Sequence, residues 1–162
     1  MNILLTILLY GMPATLLFSA LLFAIGLVNP RVMLQDFPKD VQALVPSKTP
    51  DEKRQTIYWF LAFLGILLVF PALAAASAEA AHQDFLEIFL SAFGVNLLVN
   101  LVDWLVIDWL IVCTITPRFV TLPGTEGMAG YKDYAPHFKG FLIGTALSAV
   151  IGLIITTLVV VL

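Results

Sequence analysis

The chain has 162 residues, of which 60% are hydrophobic and 12% charged, with a formal net charge of −3. Soluble domains carry about 25% charged and roughly 45–50% apolar residues, so the composition points to lipid as the solvent. The small net charge, with no run of like charges, gives no basis for a nucleic-acid partner. The single cysteine, Cys113, excludes a disulfide framework or a CxxC redox pair.

A membrane-spanning helix needs about 20 predominantly apolar residues. Four stretches qualify: residues 3–28, 57–76, 87–116 and 141–162. Open strands would leave edge amides unpaired in hydrocarbon, and none of the stretches alternates as barrel strands do. The expected fold is all-α: a polytopic four-transmembrane-helix bundle forming a single membrane domain over residues 1–162.

The first span lacks the basic n-region and cleavage pattern of a signal peptide and reads as a retained helix. It carries Gly11, Thr15 and Ser19 at four-residue intervals, a spacing that lets helices approach closely. Pro13 removes one of its hydrogen bonds. The following segment, 29–56, contains Pro30, Pro38, Pro46 and Pro50, with one short surface helix expected over 39–45. Thr49-Pro50-Asp51-Glu52 is a capping box with proline at the first helical position. The second helix therefore starts near Pro50, ahead of its apolar span, and Pro71 interrupts its ladder. A short loop, 77–86, leads to the third helix, where Asp84 is the expected cap and Glu87 its partner.

The third span holds Asn96, Asn100, Asp103 and Asp108. At about 100° per residue, Asn96, Asn100 and Asp103 share one arc and Asp108 falls on a neighbouring one with Trp104. From Glu87 to Thr116 an α-helix runs about 45 Å, longer than a core of about 30 Å, so it must tilt or protrude. A carboxylate inside a membrane is costly and does not face lipid; it is neutral, paired, or lines water. Asp103 has no counter-ion evident in the sequence, whereas Arg31 or Lys139 is expected to reach Asp108. The four residues are the candidate ion- or ligand-binding face. Interhelical hydrogen bonding is the structural alternative, above all for the asparagines.

Pro117 ends the third helix. The segment 117–140 is rich in reactive types, and Glu126, Asp133 and His137 are candidates for an acid–base or metal site there. A single histidine is weak support for zinc, and no P-loop or dinucleotide fingerprint is present. No metal or cofactor is expected. In the fourth span Gly144, Ser148 and Gly152 form a small-residue row, open either to packing within the bundle or to a homo-oligomer or another membrane protein.

All eight Lys and Arg residues lie in segments 29–56 and 117–140. Cytoplasmic loops are enriched in these residues, so both loops are expected in the cytoplasm with both termini outside. Asn29-Pro30-Arg31 with Gln35-Asp36-Phe37-Pro38-Lys39-Asp40, the pairs Asp103-Trp104 and Asp108-Trp109, and Leu122-Pro123-Gly124-Thr125-Glu126-Gly127-Met128 resemble a group of small bacterial integral membrane proteins of uncharacterised function. The resemblance implies a bacterial inner membrane and brings no activity with it. Three function classes follow from the residues: a proton, small-cation or polar-solute module on the third helix; a scaffold or accessory subunit; or a membrane enzyme with its site in the 122–139 loop.

Overall fold

The computed structural model describes residues 2–162. Four helices are long and apolar enough to cross a membrane: Ile3–Val28, Pro50–Ala80, Phe85–Ile115 and Ala135–Val161. Among the described residues there is no strand. The first of these is α1 (Ile3–Val28), followed by a 3-10 segment (Pro30–Asp36) and the short surface helix α2 (Lys39–Leu44). The second is α3 (Pro50–Ala80). The third is α4 (Phe85–Val102) continued by a π segment (Asp103–Ile115), and the fourth is α5 (Ala135–Val161).

Local chemistry sets most of these ends. Thr49 Oγ1 accepts from the Glu52 amide at 3.2 Å while Glu52 Oε2 accepts from the Thr49 amide at 2.8 Å, so α3 opens with the full reciprocal box. Asp84 and Glu87 do the same for α4, at 2.9 and 3.1 Å. Ile115 is the last residue of the third helix; Thr116 behind it is left-handed at φ 50°. One boundary differs from the sequence expectation. The fourth helix begins at Ala135, six residues before the apolar span, because Pro136 occupies its first turn, where a missing amide costs nothing. His137 therefore sits on a helix and not in a loop.

Within the bundle α4 is central and touches α1, α3 and α5. Ala14, Ile66, Ala74, Val95 and Val99 join α1, α3 and α4; Ala75, Ala78, Ile88, Ala92 and Ile155 join α3, α4 and α5. These contacts depend on small residues. A methyl added at Gly152 would lie 3.2 Å from the Phe93 backbone nitrogen, and one at Gly11 would meet Leu98 at 2.9 Å. The small-residue row of α5 is thus used inside the chain, against α4. Only 17–22% of the residues in each apolar window are buried, so most of the apolar surface faces outward. Soluble monomers rarely expose contiguous apolar patches beyond a few hundred Å², and an exterior this apolar suits a lipid environment.

At one end of the bundle the two charged segments dock on each other. Leu34, Val41, Leu122 and Tyr131 form a small core with Phe37, Val45 and Met128 around it. The Tyr131 hydroxyl accepts from the Leu122 amide at 3.0 Å and lies 2.8 Å from Thr125 Oγ1. The Gly130 amide donates to Asp40 across the two segments at 3.2 Å. Below this cap Arg31 grips Glu52 with Nε at 2.7 Å and Nη2 at 3.3 Å, a two-pronged geometry suited to guanidinium and carboxylate. Arg31 is therefore committed to Glu52 and does not reach Asp108, contrary to the sequence expectation.

Candidate functional site

The upper part of the third helix is ordinary α-helix, and both asparagines there serve the bundle. Pro71 has no amide, so the carbonyl four residues before it, at Leu67, has no partner within α3. Asn96 Nδ2 donates to that carbonyl at 3.0 Å. Its amide restores the bond that Pro71 removes, as neighbouring helices do for proline in membrane helices. One turn on, Asn100 Nδ2 donates to the Phe141 carbonyl at 2.9 Å and to Thr145 Oγ1 at 3.0 Å on α5. Gly144 makes room for it: a methyl there would lie 2.6 Å from Asn100 Oδ1. The structural alternative considered for the asparagines describes both.

The lower part is wound differently. From Asp103 to Ile115 the ladder is i→i+5, closed by the Thr116 amide donating to the Ile111 carbonyl at 2.8 Å. In an α-helix, residues five apart point about 140° away from each other. In an i→i+5 ladder the fifth residue returns beneath the first. Asp103-Trp104 and Asp108-Trp109 are five apart, so the winding puts both acids on one side and both indoles on one side. The two indole rings meet edge to face with centroids 4.8 Å apart. The arc expected from α geometry, which separated Asp108 from Asp103, is corrected by this winding. Each turn also takes more residues, so the helix is shorter than 1.5 Å per residue implies.

Asp108 pairs with His137 of α5, Oδ2 to Nδ1 at 3.0 Å, and both side chains are about one-quarter exposed. The partner expected from the sequence was a long basic chain; the early start of α5 supplies a histidine instead. Asp103, one π turn deeper, makes no hydrogen bond among the described residues but lies within electrostatic reach of Asp108 and His137. Trp104 stacks on Phe141 at 4.3 Å and contacts Phe138 at 5.2 Å, and Trp109 meets Tyr134 at 5.5 Å. This aromatic wall joins the π segment to α5. The indole nitrogens of Trp104 and Trp109 are buried donors with no acceptor among the described residues. Buried polar groups normally have a partner, and these two lie on the segment that carries the acids.

Asp36, from the 3-10 segment, also faces this cluster. Asp36 is exposed, yet desolvation by the surrounding chain pushes its carboxyl above the ordinary range; the Gln35 hydrogen bond and Lys48 pull it back, and the nearby Asp108 charge pushes it up again. Nothing in the sequence marked Asp36, because its nearness to Asp108 depends on how the first charged segment folds over the bundle.

The three loop candidates do not form one site. His137 belongs to the Asp108 pair. Asp133 accepts from the Ala135 amide at 3.0 Å at the start of α5, and its carbonyl faces the buried Cys113 thiol at 3.7 Å. Glu126 makes no hydrogen bond or ion pair with either among the described residues; it lines a separate groove with Arg118 and Lys132. Among the described residues no three His, Cys, Asp or Glu side chains converge where a metal ion would sit. The chain matches no protein-family model, no curated protein and no solved structure.

Proposed function

We propose that the chain is an integral membrane protein of the bacterial inner membrane, with both termini outside and both charged segments in the cytoplasm. In this reading Asp103, Asp108 and His137 form a proton-binding site near the cytoplasmic face. Two further features support the placement: all Lys and Arg residues lie at one end of the bundle, and the apolar exterior covers the rest of its length.

The observation that carries the functional reading is the pairing of Asp108 with His137 while Asp103 sits one π turn deeper without a hydrogen-bond partner among the described residues. An unpartnered intramembrane acid takes up a proton or a cation, and such acids mark proton relays and ion paths. Histidine changes charge near neutral pH, so His137 is suited to exchange protons between the cytoplasm and the two carboxylates. The asparagine Nδ2 groups above it are committed to helix–helix bonds.

The test is flux into vesicles. Purified protein is reconstituted in liposomes holding a pH-sensitive dye, and a pH step is imposed with and without Na⁺ or K⁺ gradients. The wild type is expected to collapse the gradient faster than protein-free vesicles. Asp103→Asn is expected to abolish this while keeping the helical circular dichroism. Equal flux in wild type and Asp103→Asn, or none above protein-free vesicles under every gradient, would sink the reading.

A further inference from the structure

Beside the end of the third helix lies a groove of about 320 Å³ lined by Thr116, Arg118, Glu126, Met128, Tyr131 and Lys132, among others. Its volume is at the small end of ligand pockets, about 300–1,000 Å³. We infer that this groove binds a phosphoethanolamine group, an anionic phosphate joined by a short linker to a primary ammonium.

Three charged side chains, Arg118, Glu126 and Lys132, line it. Arg118 makes no side-chain hydrogen bond or ion pair among the described residues, and neither does Glu126, although both face one groove. Lys132 donates to the Thr114 carbonyl at 2.8 Å and to Thr116 Oγ1 at 2.7 Å. An ammonium has three N–H donors, so one remains for a ligand. The groove thus offers a guanidinium and part of an ammonium on the one hand and a carboxylate on the other, with the carboxylate unneutralised by either. A guanidinium fork matches phosphate oxygens. A lone carboxylate beside it rejects a plain anion and calls for a ligand carrying its own cation.

The backbone is committed to this shape. Thr116 is β-branched yet left-handed at φ 50°, a strained conformation that persists only when its surroundings hold it. Lys132 holds it from the groove side through Oγ1. Gly127, at φ 80° and with open space around its Cα, lines the same groove. The groove begins one residue past Ile115, the end of the third apolar helix, and headgroups lie at that level for a spanning helix. Both a membrane phospholipid and a free phosphorylated amino alcohol carry the required group.

The test uses the full-length protein in detergent. It is mixed with equal amounts of phosphatidylethanolamine, phosphatidylglycerol and phosphatidylcholine, and retained lipid is counted by native mass spectrometry. Wild type is expected to retain the ethanolamine lipid about tenfold over the other two, the size of one charged hydrogen bond. Glu126→Gln is expected to bring the ethanolamine and glycerol lipids level, and Arg118→Gln to lower retention of both; each residue is exposed, so neither change disturbs the fold. Glycerophosphoethanolamine added as a soluble competitor separates the sources: displacement at equal concentration assigns the groove to a free ligand, and persistence assigns it to the lipid. Equal retention of all three lipids by wild type, or an unchanged preference in Glu126→Gln, would overturn the inference.

Discussion

The two halves of the third helix place polar side chains in the same bundle and use their N–H donors differently. In the α-wound half Asn96 and Asn100 each donate to a named acceptor on a neighbouring helix. In the π-wound half Asp103 has no hydrogen-bond partner, Asp108 has a histidine, and two indole N–H groups are buried without acceptors among the described residues. The first half commits its asparagine N–H groups to helix packing, although Ser91 Oγ and Asn96 Oδ1 are buried there without a partner among the described residues. The second leaves its acid and indole groups available, and long π stretches are rare and frequent at functional sites. A polar residue in a membrane helix is therefore not a functional signal by itself; what matters is whether its bonding capacity is already used.

This contrast can be broken at several points. The largest effect is expected from Asn96→Ala, which strands the Leu67 carbonyl in the core. It should cost about 1–2 kcal/mol in detergent unfolding. In a Pro71→Ala background, where α3 regains the amide for Leu67, the same substitution should cost markedly less. A double-mutant cycle with no coupling would refute the repair of α3 by Asn96. Gly144→Ala comes next, at about 1 kcal/mol or more, because the methyl crowds Asn100 Oδ1 at 2.6 Å. Asn100→Ala should relieve most of that cost.

The lower half should respond differently. Asp103→Asn has no hydrogen bond to lose and should change stability by less than about 0.5 kcal/mol, or raise it, since an unpaired intramembrane acid is itself unfavourable. A loss as large as that of Asn96→Ala would mean that Asp103 is a packing residue after all. The smallest effect belongs to Asp36. Its carboxyl is raised from the ordinary 3.8, so the folded chain binds its proton more tightly than the unfolded chain does. Its contribution to stability is full below that value and declines as pH rises through the folded-state value. Asp36→Asn should therefore stabilise the protein slightly at neutral pH and not at all in strong acid, read by thermal unfolding at the two conditions.

How much of this was legible in the sequence depends on how local each cause is. The capping boxes at Thr49 and Asp84 involve residues three apart, and both are formed as their spacing implies. The four apolar spans are equally direct. His137 was misplaced because Pro136 reads as loop punctuation when it follows Tyr134-Ala135, yet the same proline is at home in a helix's first turn. The Asn96 bond was available in principle, since subtracting four from Pro71 names the orphaned carbonyl; only the facing helix was unknown. The π winding was concealed by applying 100° per residue to the whole span. Its trace was the Asp-Trp pair repeated at five residues, a spacing that no α-helical face uses. Asp36 and the grip of Arg31 on Glu52 depend on how the charged segments fold, and no short-range pattern announces them.

The central claim is that the π segment sets Asp103 and Asp108 on one side of the third helix. Infrared spectroscopy of the reconstituted protein resolves the carboxyl bands and assigns them through Asp103→Asn and Asp108→Asn. The account predicts that Asp103→Asn shifts the frequency of the Asp108 band, and that Asn96→Ala leaves it in place. An Asp108 band indifferent to Asp103→Asn would contradict the shared face and the site built on it.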